Sequence, residues 1–242
     1  MLEVEEEVEP IYPLGKYDVN FPNPREATDE GLLAYGGDLS SNRLLSAYKQ
    51  GIFPWYAQDD PILWWSPNPR LLLYPKAFKL RKSFKRVLRS GKFSVTFDRH
   101  FEEVIRYCAA IPREGQDASW IVSEIQEAYI RLHQEGFAHS VEVHFEGKLV
   151  GGLYGLAIGG AFFGESMFSL VSDASKVAFK ALSDVLAQRG YDFIDCQLPT
   201  EHMIGLGAEV CSRDFFRDAL EETLKKASDL GKWHDFNWQY IA

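Results

Sequence analysis

The stretch from His139 to Phe168 constrains the fold more than any other. It reads HSVEVHF, the turn EGK, LVGGLYGLAI, the turn GG, and AFFGESMF. Residues that favour strands alternate between glycine-bearing turns, which predicts an antiparallel meander. A meander needs helices to bury a face, and helical patterns lie on either side. Phe101–Ala110 and Ser123–Gln134 precede it, the second stopped by Gly136, and FSVTFD reads as a further strand. After it come a helix from Ala174 to Arg189 stopped by Gly190, the strand YDFIDCQL, and a helix from Arg213 to Ser228 capped by Ser212. The fold class is α+β.

The N-terminal part differs. Its first 30 residues carry Pro10, Pro13, Pro22 and Pro24 and show little periodicity. An extended piece, a turn at Gly36-Gly37 and a short helix capped by Ser40 or Ser41 and stopped near Gly51 follow. The segment GIFPWYAQDDPILWWSPNPR is too broken by proline for a helix. RLLLYP is a short strand, and a domain boundary is placed near residue 72, giving a small domain over 1–72 and a larger one over 73–242.

Of the 242 residues 46% are hydrophobic, enough to bury a substantial core. No apolar run reaches membrane-spanning length, and the acidic start MLEVEEEVEP is unlike a signal peptide. Three cysteines without CxxC spacing, and histidines without HxH or HxxxH spacing, predict neither a disulfide framework nor a metal site. A soluble, cytoplasmic monomer without metal or cofactor is expected. The net charge of −9 argues against a generic nucleic-acid binder. Yet KAFKLRKSFKRVLRSGK, Lys76 to Lys92, holds eight basic residues and no acid. Read as a helix, it puts Leu80, Phe84, Val87 and Leu88 on an apolar side, with Lys79, Lys82, Arg86 and Arg89 recurring on another. It is a local anion site or a plain solvated face.

Two strands carry polar residues where apolar ones belong. In FIDCQL, period-two alternation puts Phe193, Asp195 and Gln197 on one face. In FFGESMF, Glu165 stands among Phe, Gly and Met, and Gly151, Gly152, Gly155 and Gly164 thin the neighbouring strands. Buried polar groups cost free energy unless they are paired. The alternatives are a structural hydrogen-bonded pair and a ligand-facing site, with Glu165 receiving a cation or salt-bridging a partner. GESMF falls short of the GxSxG nucleophile motif because Phe168 replaces the last glycine. SDASK lacks a partner pattern for a serine–lysine dyad, and Cys196 reads as a core thiol.

The segments GGDLSSNRLLSAYKQGIFPW, DDPILWWSPNPR, HSVEV, GGLYG, GESMFS, ASK and DCQ occur in this order. Over Phe21 to Asp214 the chain thereby resembles the leucyl/phenylalanyl-tRNA–protein transferases. The resemblance implies a small N-terminal domain joined to an acetyltransferase-like (GNAT) C-terminal domain. The implied partners are tRNA carrying leucine or phenylalanine and proteins with N-terminal Arg or Lys, and the product carries an N-terminal mark for degradation. By the same resemblance, Trp55 and Trp120 lie near the 3′-terminal adenosine and aminoacyl group. Stacking a base on an indole contributes ~1–3 kcal/mol. Trp64 and Trp65 are expected in the core and at the domain interface. Leu153, Phe162, Met167, Leu182 and Ile194 would form the side-chain pocket, Leu153 and Leu182 standing where some relatives carry methionine and phenylalanine.

The resemblance puts Asp195 and Gln197 at the catalytic position. Asp195 would orient or deprotonate the amine, directly or through Gln197, and Gln197 could hold the tetrahedral intermediate. Glu165 would contact the aminoacyl amine or the acceptor's Arg or Lys. Lys79, Lys82, Arg86 and Arg89, with Lys76, Arg81 and Lys85, are candidates for the tRNA backbone. Two rivals stand beside this reading. An acyl-CoA N-acetyltransferase shares the fold class, but FSLVSDASKVA lacks the glycines of a pyrophosphate loop. A non-catalytic RNA- or peptide-binding module would not need Asp195, Gln197 and Glu165 in strands.

Overall fold

Two sheets carry the chain. The structure, a computed structural model, describes residues 11–111 and 119–240. The acidic segment MLEVEEEVEP lies outside the described residues. The smaller sheet has the order β1-β2-β4-β3, from Tyr12–Leu14 (β1), Leu32–Gly36 (β2), Phe53–Pro54 (β3) and Leu63–Trp65 (β4). Helix α1 (Ser41–Tyr48) joins β2 to β3, and the Ser40 side chain accepts from the Arg43 N–H at its start, as expected. The Trp/Pro segment therefore supplies two strands. Trp64 is fully buried and Trp65 packs partly buried against the same core.

The larger sheet has the order β11-β5-β10-β9-β8-β7-β6. Its strands are Arg70–Leu73 (β5), Ser94–Phe97 (β6), Ala138–Phe145 (β7), Lys148–Ile158 (β8), Ala161–Ser169 (β9), Phe193–Asp195 (β10) and Glu209–Cys211 (β11). Residue 72 thus lies in a strand of the larger sheet. β7 to β9 form the predicted antiparallel meander, β6 pairs antiparallel with β7, and β10 lies parallel to β9 after the crossover helix α5 (Ala174–Gln188). This meander–helix–parallel strand arrangement is an α+β architecture, the expected fold class. α5 covers one face of the sheet; α3 (Phe101–Ala110) and α4 (Ser123–Gln134) pack on the other. The core on that second face is continuous with the small sheet, since Leu33, Tyr48 and Trp64 belong to one buried cluster with Ile105, Tyr129 and Phe163.

Three expectations need correction. The basic strip is not one helix: a 3-10 turn spans Pro75–Ala77, and α2 spans only Lys82–Arg89. Between them the Lys79 N–H donates to the Leu206 carbonyl at 2.8 Å, which holds the backbone extended. The strand YDFIDCQL ends at Asp195, because the Asp195 carboxylate accepts the Gln197 N–H at 2.9 Å and Gln197 adopts φ +62. Gln197 therefore does not share a strand face with Phe193 and Asp195. The last helix, α7 (Arg213–Thr223), stops before Ser228, and the Thr223 carbonyl accepts from the Gly160 N–H. A short helix, α6 (Glu201–Gly205), and the edge strand β11 had no clear signal in the sequence. The aromatic C-terminal segment packs down as expected: Trp233 is buried and stacks on His139 with ring centroids 3.7 Å apart.

Candidate active site

All five residues expected to hold an apolar side chain line one cavity of about 280 Å³. Leu153 and Met167 are cross-strand partners on β8 and β9, and Phe162 and Ile194 are partners on β9 and β10. Leu182 comes from α5 together with Phe179, three residues earlier and on the same helix face. Strict period-two alternation would put Phe162 and Met167 on opposite faces, since they are five positions apart. A β-bulge resolves this. Ser166 pairs with Tyr154 and Gly164 with Gly155, which leaves Glu165 as the extra residue without a partner on β8. The bulge returns both pocket residues to one face and re-aims Glu165.

Glu165 is buried and accepts hydrogen bonds from the Tyr48 hydroxyl at 2.7 Å, the Tyr129 hydroxyl at 3.0 Å and the Gln197 amide at 3.0 Å. The two tyrosine hydroxyls also contact each other, and since each holds one proton the three contacts are all hydrogen-bonded only when Glu165 carries a proton of its own. Burial raises the Glu165 pKa to about 7, against the pull of the two tyrosine hydrogen bonds. Of the two alternatives, the salt bridge finds no partner among the described residues: the partners are phenols and an amide.

Asp195 is fully buried and does not line the cavity. The Arg70 guanidinium grips it through Nε–Oδ1 at 2.9 Å and Nη2–Oδ2 at 2.6 Å. Arg70, 1% exposed, also donates to the Gly51 carbonyl and lies over the Phe53 and Phe216 rings at 5.0 and 4.5 Å. With the Gln197 N–H on Oδ1, the carboxylate accepts three hydrogen bonds. Asp195 thus fixes the backbone of Gln197, whose side chain reaches the cavity and Glu165. Arg70, Tyr48 and Tyr129 were not found from sequence; their partners are 36 to 125 positions away. The cavity wall also includes Tyr154, Cys196, Thr200, His202 and Met203.

Trp55 and Trp120 are not on this wall. Trp55 is half-buried against Trp65, whose indole N–H donates to the Trp55 carbonyl at 2.6 Å. Trp120 is buried in the core ahead of α4. Of the basic strip, Lys76, Lys79, Arg81, Lys82, Arg86 and Arg89 are exposed and Lys85 is half-buried. Among the described residues none of the seven is in an ion pair. The glycines mostly serve close packing. A Cβ on Gly151 would meet Ala174 at 2.5 Å, and one on Gly155 the Phe163 carbonyl at 2.1 Å; Gly164 alone of the four lines the cavity.

The family model described as Leucyl/phenylalanyl-tRNA protein transferase matches residues 72–221, and that of its N-terminal domain matches residues 37–68. A relative from Desulfatibacillum aliphaticivorans, named Leucyl/phenylalanyl-tRNA--protein transferase, is 50% identical over 224 residues, covering 93% of this chain and 96% of its own. One of the same name from Sulfurimonas denitrificans is 53% identical over 207 residues, covering 86% and 90%. Among solved structures, a conserved protein of unknown function from Staphylococcus epidermidis aligns with a TM-score of 0.42 at 7% identity, over 75% of this chain and 68% of its own.

Proposed function

This chain belongs to the leucyl/phenylalanyl-tRNA protein transferase family, and on that premise we propose that it moves leucine or phenylalanine from tRNA to the α-amine of a protein's N-terminal Arg or Lys. The observation that carries the reading is the cavity. Its volume sits near the lower end of small-molecule sites, which span roughly 300–1,000 Å³, and its wall is mostly apolar with Glu165 and Gln197 at one side. An apolar side chain attached to an amine and an ester suits that division. Met167 and Met203 adapt their shape to either a branched or an aromatic group.

The donor is an activated ester, so no ATP and no covalent intermediate are required. The work is to position an amine against a carbonyl and to hold charge. A terminal α-amine with a pKa of ~7.7–8.0 is partly neutral near neutral pH. Glu165 is the one acid among the described residues of the cavity wall, and it receives the cationic group, the aminoacyl amine or the acceptor's Arg or Lys. Gln197 spends one amide N–H on Glu165 and keeps a second for the oxygen of the tetrahedral intermediate. Asp195, enclosed and paired with Arg70, orients Gln197 through its backbone N–H. Trp55 offers a half-exposed indole to the terminal adenine, with Trp120 behind the same core. Lys76, Lys79, Arg81, Lys82, Lys85, Arg86 and Arg89 hold the phosphates of the acceptor stem without reading sequence.

An acyl-CoA reading is disfavoured at the start of α5. There the Ala174 N–H donates to the Val171 carbonyl and the Ser175 N–H to the Ser169 hydroxyl, where a pyrophosphate would need free N–H groups. The acceptor rule is tested by incubating the protein with leucyl-tRNA and three otherwise identical proteins starting with Arg, Lys or Glu. Transfer to the first two and not the third is expected; equal transfer to all three would defeat the rule.

A further inference from the structure

Attack of an amine on an ester moves one proton. The N–C bond forms, the C–O bond to the ribose breaks, the nitrogen loses a proton and the ribose oxygen gains one. Asp195 is badly placed to carry it: buried, off the cavity wall, with both oxygens held by Arg70 and the Gln197 N–H. Glu165 is buried and already engaged by the Tyr48 and Tyr129 hydroxyls and the Gln197 amide, away from the solvent from which an acceptor arrives. Burial pushes the Cys196 thiol far above the neutral range. Tyr154 is fully enclosed.

His202 differs from all of these. α6 opens with Thr200, whose side chain accepts from the Met203 N–H, and the short helix brings His202 to the cavity wall with Thr200, Met203 and Gln197. The residue is also exposed, so its ring meets both the cavity and the solvent from which an acceptor arrives. Among the described residues its ring has neither a hydrogen bond nor an ion pair. The charged groups around it are Lys176 of α5, itself bonded to Asp173 at 2.9 Å, Glu201 beside it on α6, and Glu165 on the same wall. Burial and then Lys176 lower its pKa from the usual value, which favours the neutral imidazole.

We propose that His202 is the proton carrier of the transfer reaction, taking the proton from the attacking α-amine and passing it to the ribose oxygen as the ester bond breaks. Imidazole ends the cycle neutral, and no further reactant is needed. The assignment rests on the transferase reading above.

The test uses the full chain with leucyl-tRNA and an Arg-starting peptide, under single-turnover conditions with donor saturating. His202→Gln and His202→Ala are each expected to slow transfer by about 100-fold or more, as for loss of a general acid–base group. The donor KM stays within about threefold, and added imidazole restores His202→Ala by about tenfold or more, the rescue growing as imidazole is deprotonated. A merely structural residue would not be rescued. A His202→Gln rate within about threefold of the unaltered protein, or a loss that appears in donor KM and ignores imidazole, would overturn the assignment. No transfer by the unaltered protein would instead defeat the parent reading, and this one with it.

Discussion

The Arg70 guanidinium lies over Phe53 and Phe216 and carries both oxygens of Asp195. A buried pair of this kind gains little net stability, but removing one partner strands a charge. Arg70→Met is expected to lower unfolding free energy by about 3–5 kcal/mol, read from chemical denaturation. Asp195→Asn is no clean test of a general base, because it also leaves Arg70 without its counter-charge. The informative comparison is Arg70→Met with Arg70→Met/Asp195→Asn. Partial recovery of stability in the double variant, without recovery of kcat, is expected of a positioning role; recovery of both would contradict it. Glu165 gives a pH signature. Its folded pKa of about 7 lies above the usual carboxylate value, so the folded state favours the protonated form. Its stabilising contribution is full below about pH 4.3, the unfolded value, and is lost as pH rises through about 7. Glu165→Gln should therefore gain stability relative to the unaltered protein as pH goes from 4 to 8, by roughly 3 kcal/mol at most. A difference in unfolding free energy that stays flat with pH would contradict this.

At the scale of elements, the bulge in β9 makes the pocket possible. It depends on Gly155, where a Cβ would meet the Phe163 carbonyl at 2.1 Å and the Phe162 ring at 2.6 Å. Gly155→Ala must displace Phe162 or the bulge. It is expected to cost about 1–3 kcal/mol of stability and to lower kcat/KM for the donor, while Gly147→Ala, in an open turn, leaves the donor kinetics unchanged. Equal kinetics in the two variants would contradict the role of the bulge. Elements whose pattern is local were legible in the sequence: α3 and α4 match their expected bounds, the meander follows its turns, and Ser40 and Ser212 cap as read. What was missed depends on distant partners. Gln197 leaves its strand through a contact with the Asp195 side chain, the 75–89 segment breaks because Lys79 bonds Leu206, and β11 exists only because β5 offers an edge. The site shows the same split. Asp195, Gln197 and Glu165 stood out as polar residues in apolar strands. Arg70, Tyr48 and Tyr129 are ordinary residues until the fold delivers them, and no local signal distinguishes them.

Across the whole molecule, one buried cluster joins the small sheet to the larger one, and Tyr48 from α1 reaches Glu165 on β9. The part that precedes residue 70 therefore completes the site rather than merely adjoining it. Among the described residues the basic strip is the one segment where exposed cations gather without acids. Donor affinity should fall steeply with salt, and replacing Lys82 and Arg86 by alanine should reduce the slope of log K against log salt by about 0.7–0.9 per lost contact. An unchanged slope would make the strip an ordinary solvated surface. The central claim is that the cavity beneath Glu165 and Gln197 selects the aminoacyl group. Its most direct test charges one tRNA body with labelled leucine or labelled alanine and measures transfer to an Arg-starting protein. Leucine is expected to appear on the protein in RNase-resistant form with kcat/KM about 100-fold or more above alanine, since each missing methylene loses ~1–3 kcal/mol of transition-state binding. Equal transfer of both, or none of leucine, would contradict the account.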